Sequence, residues 1–165
     1  MNLLACHQTC TMSLMDVVKA KIAIVNDSRE ILILTRSEME DTRVGELDLP
    51  GGTLDASDIE VVRGAIRETS EELPGIDLDS PIEIGVDAKP NELGQLVMTY
   101  IFGATARFPS SGINLSFEHS SAEWIALDEI LKLKNRPRRL PTKYRRAIEA
   151  SHATFDKLIS LAPVS

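Results

Sequence analysis

The sequence has only two cysteines and three histidines, and no apolar stretch approaches 18 residues. Because a membrane-spanning helix needs about 20 consecutive apolar residues, we expect none. Both cysteines, Cys6 and Cys10, lie near the start of the chain without a secretion signal, which favours free thiols in a reducing, cytoplasmic compartment. A four-ligand zinc site is disfavoured because no second Cys or His pair follows them.

Positive charge is also scarce, since 18 Lys and Arg oppose 25 Asp and Glu, for a net charge of −7. This balance argues against a protein that binds nucleic acid over its whole surface. The bases are unevenly placed, because residues 132–146 hold eight of them and no acid, which leaves −15 for the remainder. Such a run is usually a solvated face, and the alternatives are a rim that attracts phosphates or a surface for an acidic partner. The eight are Lys132, Lys134, Arg136, Arg138, Arg139, Lys143, Arg145 and Arg146.

A length of 165 residues with 43% hydrophobic and 26% charged residues is typical of one globular domain. Residues 1–15 carry no charged side chain. We expect them to be a poorly ordered N-terminal extension, of which residues 1–12 are dispensable, with residues 16–165 as the single domain. A lipid anchor at Cys6 and a metal site at Cys6, His7 and Cys10 are the weaker alternatives.

The first part of this domain is predicted to be extended. Residues 17–25 alternate, with Lys19 and Lys21 on one face, which is typical of a strand. Residues 31–34 are all aliphatic, which indicates a strand buried on both faces. With turn residues at 26–28 between them, the two strands are predicted to form a hairpin.

Later segments add further strands and a helix. Residues 47–49 form a short strand, and residues 82–86 and 95–108 are extended on either side of a turn at 88–94. Residues 142–161 have the apolar periodicity of a helix. The order of elements predicts an α+β or mixed α/β fold.

The segment around which the chain is organised begins with a tight turn at Gly51 and Gly52. Ser57 and Glu60 have the spacing of a capping box, so a helix is predicted to start near Asp58. On a helical wheel, an apolar side is formed by Ile59, Val62, Ile66, Thr69 and Leu73.

The opposite side of this helix carries Glu68, Glu71 and Glu72, which we expect to point away from the core. Each like-charge pair costs the bare helix about 0.2–0.5 kcal/mol; Arg67 can pair with Glu71 at i,i+4, but no other base lies on that side of the helix. Oxygen ligands suit Mg²⁺, so three converging carboxylates are suitable for a metal site, although such an acidic run taken alone is more often a solvated face. Gly64 lies between the carboxylates, where a missing side chain allows close approach.

This segment resembles the signature of the Nudix hydrolases, G-x5-E-x7-R-E-U-x-E-E-x-G-U, in which U is aliphatic. The matching residues are Gly52, Arg67, Glu68, Glu71, Glu72, Gly75 and Ile76. Asp58 replaces the first Glu, one extra residue precedes Arg67, Thr69 replaces an aliphatic residue, and Pro74 is inserted. The extra residues lie at helix ends, where length varies without turning the acidic face.

Two other segments also resemble the family. Residues 118–130 are similar to its late region, where Glu and His precede a strand with Trp and a short helix, and the resemblance implies a metal-ligand or base role for Glu118. His119 is expected to be a polar loop residue, and Trp124 a core or rim residue, with a stacking platform as the alternative. Leu47 and Asp48 replace the aromatic residue and Glu of many members, which removes one cue to the substrate.

The resemblance implies a Nudix α/β/α sandwich with a mixed sheet, and hydrolysis of a nucleoside diphosphate linked to another moiety, with Mg²⁺ or Mn²⁺. It implies a small nucleotide-type partner, no membrane, and a homodimer as one option. Alternatives are a non-catalytic nucleotide-binding module and a prenyl diphosphate isomerase, which needs a pocket cysteine. The implied metal ligands are Glu68, Glu71 and Glu72; the catalytic residues are Glu71, Glu118 and Arg67; the substrate-binding residues are Arg36, Gly51 and Gly52.

Overall fold

The computed structural model describes residues 16–39, 43–130, 132 and 140–162. The predicted extension at 1–15 lies outside the described residues. So do four of the eight bases of the basic run, namely Lys134, Arg136, Arg138 and Arg139.

Eight strands and four helices are seen in these ranges. The strands are β1 Val17–Ile24, β2 Glu30–Arg36, β3 Leu47–Asp48, β4 Asp77–Leu78, β5 Ile82–Pro90, β6 Leu96–Ala104, β7 Ala106–Arg107 and β8 His119–Ala126. The helices are α1 Val61–Glu72, α2 Leu127–Ile130, α3 Thr142–Ala150 and α4 His152–Leu161. None of the described helices is long and apolar enough to cross a membrane.

The sheet that contains β1 is mixed. Strand β1 pairs in parallel with β6, and β5 pairs antiparallel with β6. The other edge of β1 is covered by the segment that holds the glycine turn, since Ile22 N donates to Pro50 O at 2.8 Å and Leu54 N to Val18 O at 2.9 Å. A second, antiparallel sheet has the order β3-β2-β8, and β4 pairs with β7.

The predicted hairpin between the first two strands is wrong. In the described structure the two strands are linked by an isolated bridge between Val25 and Ile31, and β2 otherwise pairs with β3 and β8. The reason is competition for edges: β6 occupies one edge of β1 and the glycine-turn segment occupies the other. Adjacency in sequence therefore does not lead to pairing here.

Two hydrophobic cores lie on opposite faces of the strands. Ile22 and Ile24 face helix α1 and pack with Ala65, whereas Ala23 and Val25 face helices α3 and α4. Strand β2 divides in the same way, and Ile31, Leu32, Ile33 and Leu34 are all fully buried, as the aliphatic run predicted. The predicted sandwich of a mixed sheet between helices is confirmed.

Several element boundaries differ from the predictions. Helix α1 begins at Val61, with Glu60 at the N-cap and no side-chain cap hydrogen bond, so the capping box is wrong. The Ser57 hydroxyl instead donates to Asp55, and Ile59 is 96% exposed because it precedes the helix. Strand β5 continues to Pro90, into the predicted turn. The closing helical segment divides at Ser151 into α3 and α4.

Candidate active site

The turn at Gly51 and Gly52 brings the sheet and helix α1 into contact. Gly51 has a φ of 115°, and a Cβ there would lie 2.3 Å from the carbonyl oxygen of Ala20. A Cβ on Gly52 would lie 1.9 Å from Oε2 of Glu68. Gly51 is therefore required by space, because a side chain there would meet the main chain of β1, whereas the missing side chain of Gly52 leaves room for the Glu68 carboxylate, which would otherwise have to move.

Glu72 lies beneath this turn and does not point away from the core as predicted. Its residue is 5% exposed, and its Oε2 accepts a hydrogen bond from Gly51 N at 2.7 Å. Burial raises the pKa of Glu72 to about 7, against the opposing effects of Lys21 and of the Gly51 hydrogen bond. The last turn of α1 thus places a carboxylate in the protein interior.

Glu68 and Glu71 are both held by Arg67. The Arg67 guanidinium lies 2.8 Å from Glu68 and 3.0 Å from Glu71, which confirms the predicted pair with Glu71. The Glu71 side chain is 62% exposed, whereas that of Glu68 is 19% exposed, and burial raises the pKa of Glu68 despite the opposing charge of Arg67. Arg67 therefore fixes the orientation of two of the three glutamates on the acidic side of α1.

Arg67 also binds Asp58, the residue that replaces the first Glu of the motif. Two of its nitrogens lie 3.1 and 2.6 Å from the Asp58 carboxylate oxygens, and these hydrogen bonds raise the pKa of Arg67 and lower that of Asp58. A Cβ on Gly64 would lie 2.9 Å from Asp58 and 2.6 Å from Leu54. The close approach expected at Gly64 is confirmed, and it is made by these two side chains.

A buried ion pair supports the other side of the glycine turn. Lys21 Nζ lies 3.2 Å from Asp48 Oδ2, with side-chain exposures of 6% and 1%, and it also donates to the carbonyl oxygen of Gly51. Burial alone would raise the pKa of Asp48, but the charges of Lys21 and Arg43 lower it. The alternation of β1 predicts that Lys21 shares a strand face with Lys19 but predicts no role for it; the available signal was a lysine next to the aliphatic run of the strand.

Arg36, predicted to bind substrate, lies at the end of β2. Its Nη1 is 3.5 Å from Asp48 Oδ2, and its side chain is 17% exposed. Asp48 thus joins Lys21 to Arg36 behind the glycine turn. The arrangement leaves part of the Arg36 guanidinium at the surface.

Glu118 is brought to the same place by main-chain contacts. Ser116 N donates to Glu72 O at 2.9 Å, and Ser37 N donates to Glu118 O at 2.8 Å. The charge of Glu118 is among the contributions that raise the pKa of Glu72. The segment 118–130 therefore adds a fourth carboxylate, that of Glu118, next to helix α1.

His119 is not the polar loop residue that was expected. It begins β8, is 5% exposed, and neither ring nitrogen has a hydrogen-bond partner among the described residues. Burial, followed by the charge of Lys21, lowers its pKa to about 4. Trp124 meets Phe108 edge-on, with ring centroids 5.9 Å apart, and packs against the core of α1, so the core or rim interpretation is the one that its contacts favour.

The donor set is suitable for a hard divalent cation. Among the described residues, no three carboxylate, imidazole or thiolate groups are close enough together to hold an ion as the side chains lie here, because Arg67 draws Glu68 and Glu71. Glu72, however, is a buried carboxylate without an ion-pair partner in this part of the chain, and Glu118 lies near it. Carboxylate oxygens that have no ion-pair partner fit Mg²⁺.

Comparisons with known proteins give one family model and several solved structures that are similar to this chain. Residues 15–145 match the model of the NUDIX domain. No curated protein sequence gives a significant match. A MutT protein from Methanosarcina mazei is 25% identical, with 89% of this chain and 97% of that chain covered and a TM-score of 0.66. A MutT NUDIX hydrolase from Burkholderia pseudomallei is 27% identical, with 83% and 98% covered and a TM-score of 0.63. A NUDIX hydrolase from Nitrosomonas europaea, 20% identical over 91% and 97% of the chains, has the same fold, with a TM-score of 0.65.

Proposed function

The chain belongs to the NUDIX family of hydrolases, which act on phosphoric anhydride bonds, and from this premise we propose that it hydrolyses a nucleoside diphosphate linked to a second moiety. The observation that carries the proposal is the contact of Gly51 and Gly52 with Glu72 and Glu68. These contacts hold two carboxylates of α1 against the turn that lies along the middle of β1, and Glu118 lies near enough to Glu72 for its charge to act on the Glu72 pKa.

Glu68, Glu71 and Glu72 are the proposed ligands of Mg²⁺, with Mn²⁺ as the alternative. A divalent ion held there neutralises phosphate charge and lowers the pKa of the attacking water. Arg67 orients Glu68 and Glu71, and the interior position of Glu72 keeps its carboxylate away from bulk water. Most of the rate enhancement in phosphoryl transfer comes from positioning of this kind.

In the proposed reaction the water oxygen bonds to phosphorus, the bridging P–O bond breaks, and the leaving group departs as a phosphate anion. The proton from water passes to a carboxylate, for which Glu118 and Glu71 are the candidates. Glu118 is a partly buried residue next to Glu72, whereas the Glu71 side chain is mostly exposed and paired with Arg67. Arg36 and the glycine turn are the proposed contacts for substrate phosphates, because the guanidinium matches phosphate oxygens in geometry.

The test is a nucleotide panel, assayed for release of phosphate or nucleoside monophosphate with Mg²⁺, with Mn²⁺ and with chelator. It contains oxidised nucleoside triphosphates, ADP-ribose, nucleotide sugars, dinucleotides and capped RNA. We expect hydrolysis of at least one compound only in the presence of metal. Binding of panel compounds without any hydrolysis would favour the non-catalytic module, and isomerisation of a prenyl diphosphate would indicate the third class.

A cytoplasmic location is a further prediction from the sequence, and a homodimer is one option for the oligomeric state. Cell fractionation checks the location, and light scattering at several protein concentrations checks the oligomeric state.

A further inference from the structure

A cavity lies on the opposite side of β1 from helix α1. It has a volume of about 570 Å³ and is formed by β1, the loop between β2 and β3, the end of β5, the start of β6 and the beginning of α3. Its positively charged lining residues are Lys19, Arg43, Lys89, Lys143 and Arg146. Glu46 and Asp87 are the acids that line it, so the described wall carries an excess of three positive charges.

The cations of this basic pocket are poorly compensated. Arg43 is paired with Glu46 at 2.7 Å. Within the described part of the chain, no carboxylate lies within ion-pair distance of the other four. Lys143 Nζ instead donates to the hydroxyl of Thr99 at 2.8 Å. Burial lowers the pKa of Lys19 and of Lys143; the charge of Lys21 adds to this effect at Lys19, whereas the charge of Asp87 opposes it at Lys143. Partly buried ammonium groups held near one another favour an anionic ligand.

The described lining of the pocket contains no aromatic ring. Tyr144 is adjacent, but it is 2% exposed, and Lys143 covers its ring with the ammonium 5.2 Å from the centroid. Proteins commonly recognise an unstacked base by packing it on an aromatic side chain. The described lining is therefore suited to a charged group of a ligand and lacks the aromatic side chain on which a base would stack.

The pocket is connected to the carboxylates by the glycine turn. Lys19 bridges to Thr53 across the edge of β1, and Lys21, two residues further on, donates to the carbonyl of Gly51. The amide of Gly51 donates to Glu72 on the other side. Lys19 of the pocket also lies near enough to Lys21 and Arg36 for their charges to act on its pKa, so we expect one end of a substrate whose phosphates contact Arg36 to reach the basic pocket.

We propose that the basic pocket selects substrates that carry an additional phosphate group remote from the diphosphate. This inference rests on the proposed function for the position of the diphosphate and goes beyond it in naming the class of substrate. The remote phosphate binds Lys89, Lys143 and Arg146, because charge-assisted hydrogen bonds to phosphate oxygens are about twice as strong as neutral ones.

The test uses pairs of compounds that differ by one remote phosphate, NADPH with NADH and coenzyme A with its dephospho form. We expect kcat/KM to favour the phosphorylated member by about tenfold or more, the effect of one good charged contact. In the double variant Lys89→Gln with Lys143→Gln, the ratio of the two kcat/KM values should fall toward one. In Lys89→Gln alone, which alters an exposed residue, the ratio should fall by a smaller amount. Lys157→Gln, an exposed lysine on α4, makes the same charge change away from the pocket and should keep the preference.

A second measurement separates failure of the pocket from failure of the proposed reaction. With chelator present, inorganic tripolyphosphate should raise the Tm of the parent protein more than that of the Lys89→Gln variant. Hydrolysis at equal rates within both pairs overturns the inference and leaves the proposed function standing. If metal supports no hydrolysis of any panel compound, the proposed function fails. The change in Tm with tripolyphosphate then tests the basic pocket by itself. An equal change in the parent and the variant, or no change, shows that the pocket does not bind an anion.

Discussion

The main-chain amide of Gly51 donates a 2.7 Å hydrogen bond to the buried carboxylate of Glu72, and the carbonyl of the same glycine accepts one from Lys21. One residue thus connects the last turn of α1 to the charged pair beneath the sheet. Because this link passes through the main chain, side-chain substitutions on either side can be tested separately.

Substitution of Glu72 should change the pH dependence of stability in metal-free protein. Its pKa is raised from 4.5 to about 7, so its contribution to stability is complete below pH 4.5 and is lost as the pH rises through 7. The loss is on the order of 3 kcal/mol. Glu72→Gln cannot ionise, so its free energy of unfolding relative to the parent should rise between pH 4.5 and 8 in urea titrations. Glu71→Gln, on an exposed side chain, is the control; equal pH trends in the two variants contradict the assignment.

Glutamine variants of the four carboxylates should separate ligands from the base. Glu68→Gln and Glu72→Gln should weaken Mg²⁺ affinity and lower kcat by orders of magnitude, because a ligand needs a charged oxygen at a fixed reach. Loss of a base costs about 10²–10⁴-fold, with metal binding kept and activity partly recovered at higher pH. Metal titration and pH–rate profiles for Glu68, Glu71, Glu72 and Glu118 variants make the distinction. If all four variants keep near-parental activity, the catalytic assignment is wrong.

Gly52→Ala should lower activity through Glu68. The new Cβ would meet the Glu68 carboxylate at 1.9 Å and displace it. A displacement of about 1 Å costs roughly 10²-fold in rate, so we expect a loss of that size in kcat/KM. Gly94→Ala is the control, since its φ of 77° strains the backbone by about 1–2 kcal/mol in open space. Equal activity of the two variants would remove Gly52 from the site.

Arg67→Ala should reduce turnover more than stability. Its side chain is 34% exposed, so loss of its ion pairs should cost at most about 1 kcal/mol in the free energy of unfolding. Loss of an orienting partner costs about 10–100-fold in metal affinity or activity. Arg67→Lys should restore stability but little turnover, because an ammonium cannot form the planar, forked contact. Arg63→Ala breaks the exposed pair with Glu60 and should leave kcat unchanged; a comparable loss in that variant would argue against a specific role.

Asp48→Asn should destabilise the fold strongly because it leaves Lys21 charged and buried. Removing one partner of a buried pair typically costs about 3–5 kcal/mol. Replacing both residues, with Lys21→Met and Asp48→Leu, should recover part of this loss in chemical unfolding experiments. Asp77→Asn breaks the exposed 2.6 Å pair with Arg107 and should cost less than about 1 kcal/mol. Similar losses for Asp48→Asn and Asp77→Asn would show that the Lys21 charge is compensated elsewhere.

Local periodicity predicted much of the site. Helical spacing alone places Glu68, Glu71 and Glu72 along one side of α1 and puts Arg67 within reach of Glu71, and the structure confirms that pair. Periodicity could not predict the burial of Glu72, because burial depends on the glycine turn that crosses the end of the helix. The start of α1 was misplaced because Asp58, the expected first helical residue, instead turns its carboxylate to Arg67.

The sequence by itself determined the longer strands, the acidic helix and the glycines at the turn, since each of these follows from neighbouring residues whose spacing sets their direction. Tertiary structure decided which strands pair, because β1 has two edges and β6 and the glycine segment occupy them. It also decided the ion pair of Lys21 with Asp48 and the basic pocket, where Lys19 and Lys143 line one cavity. These groups are far apart in sequence, and their charges act on one another only when folding removes the water between them.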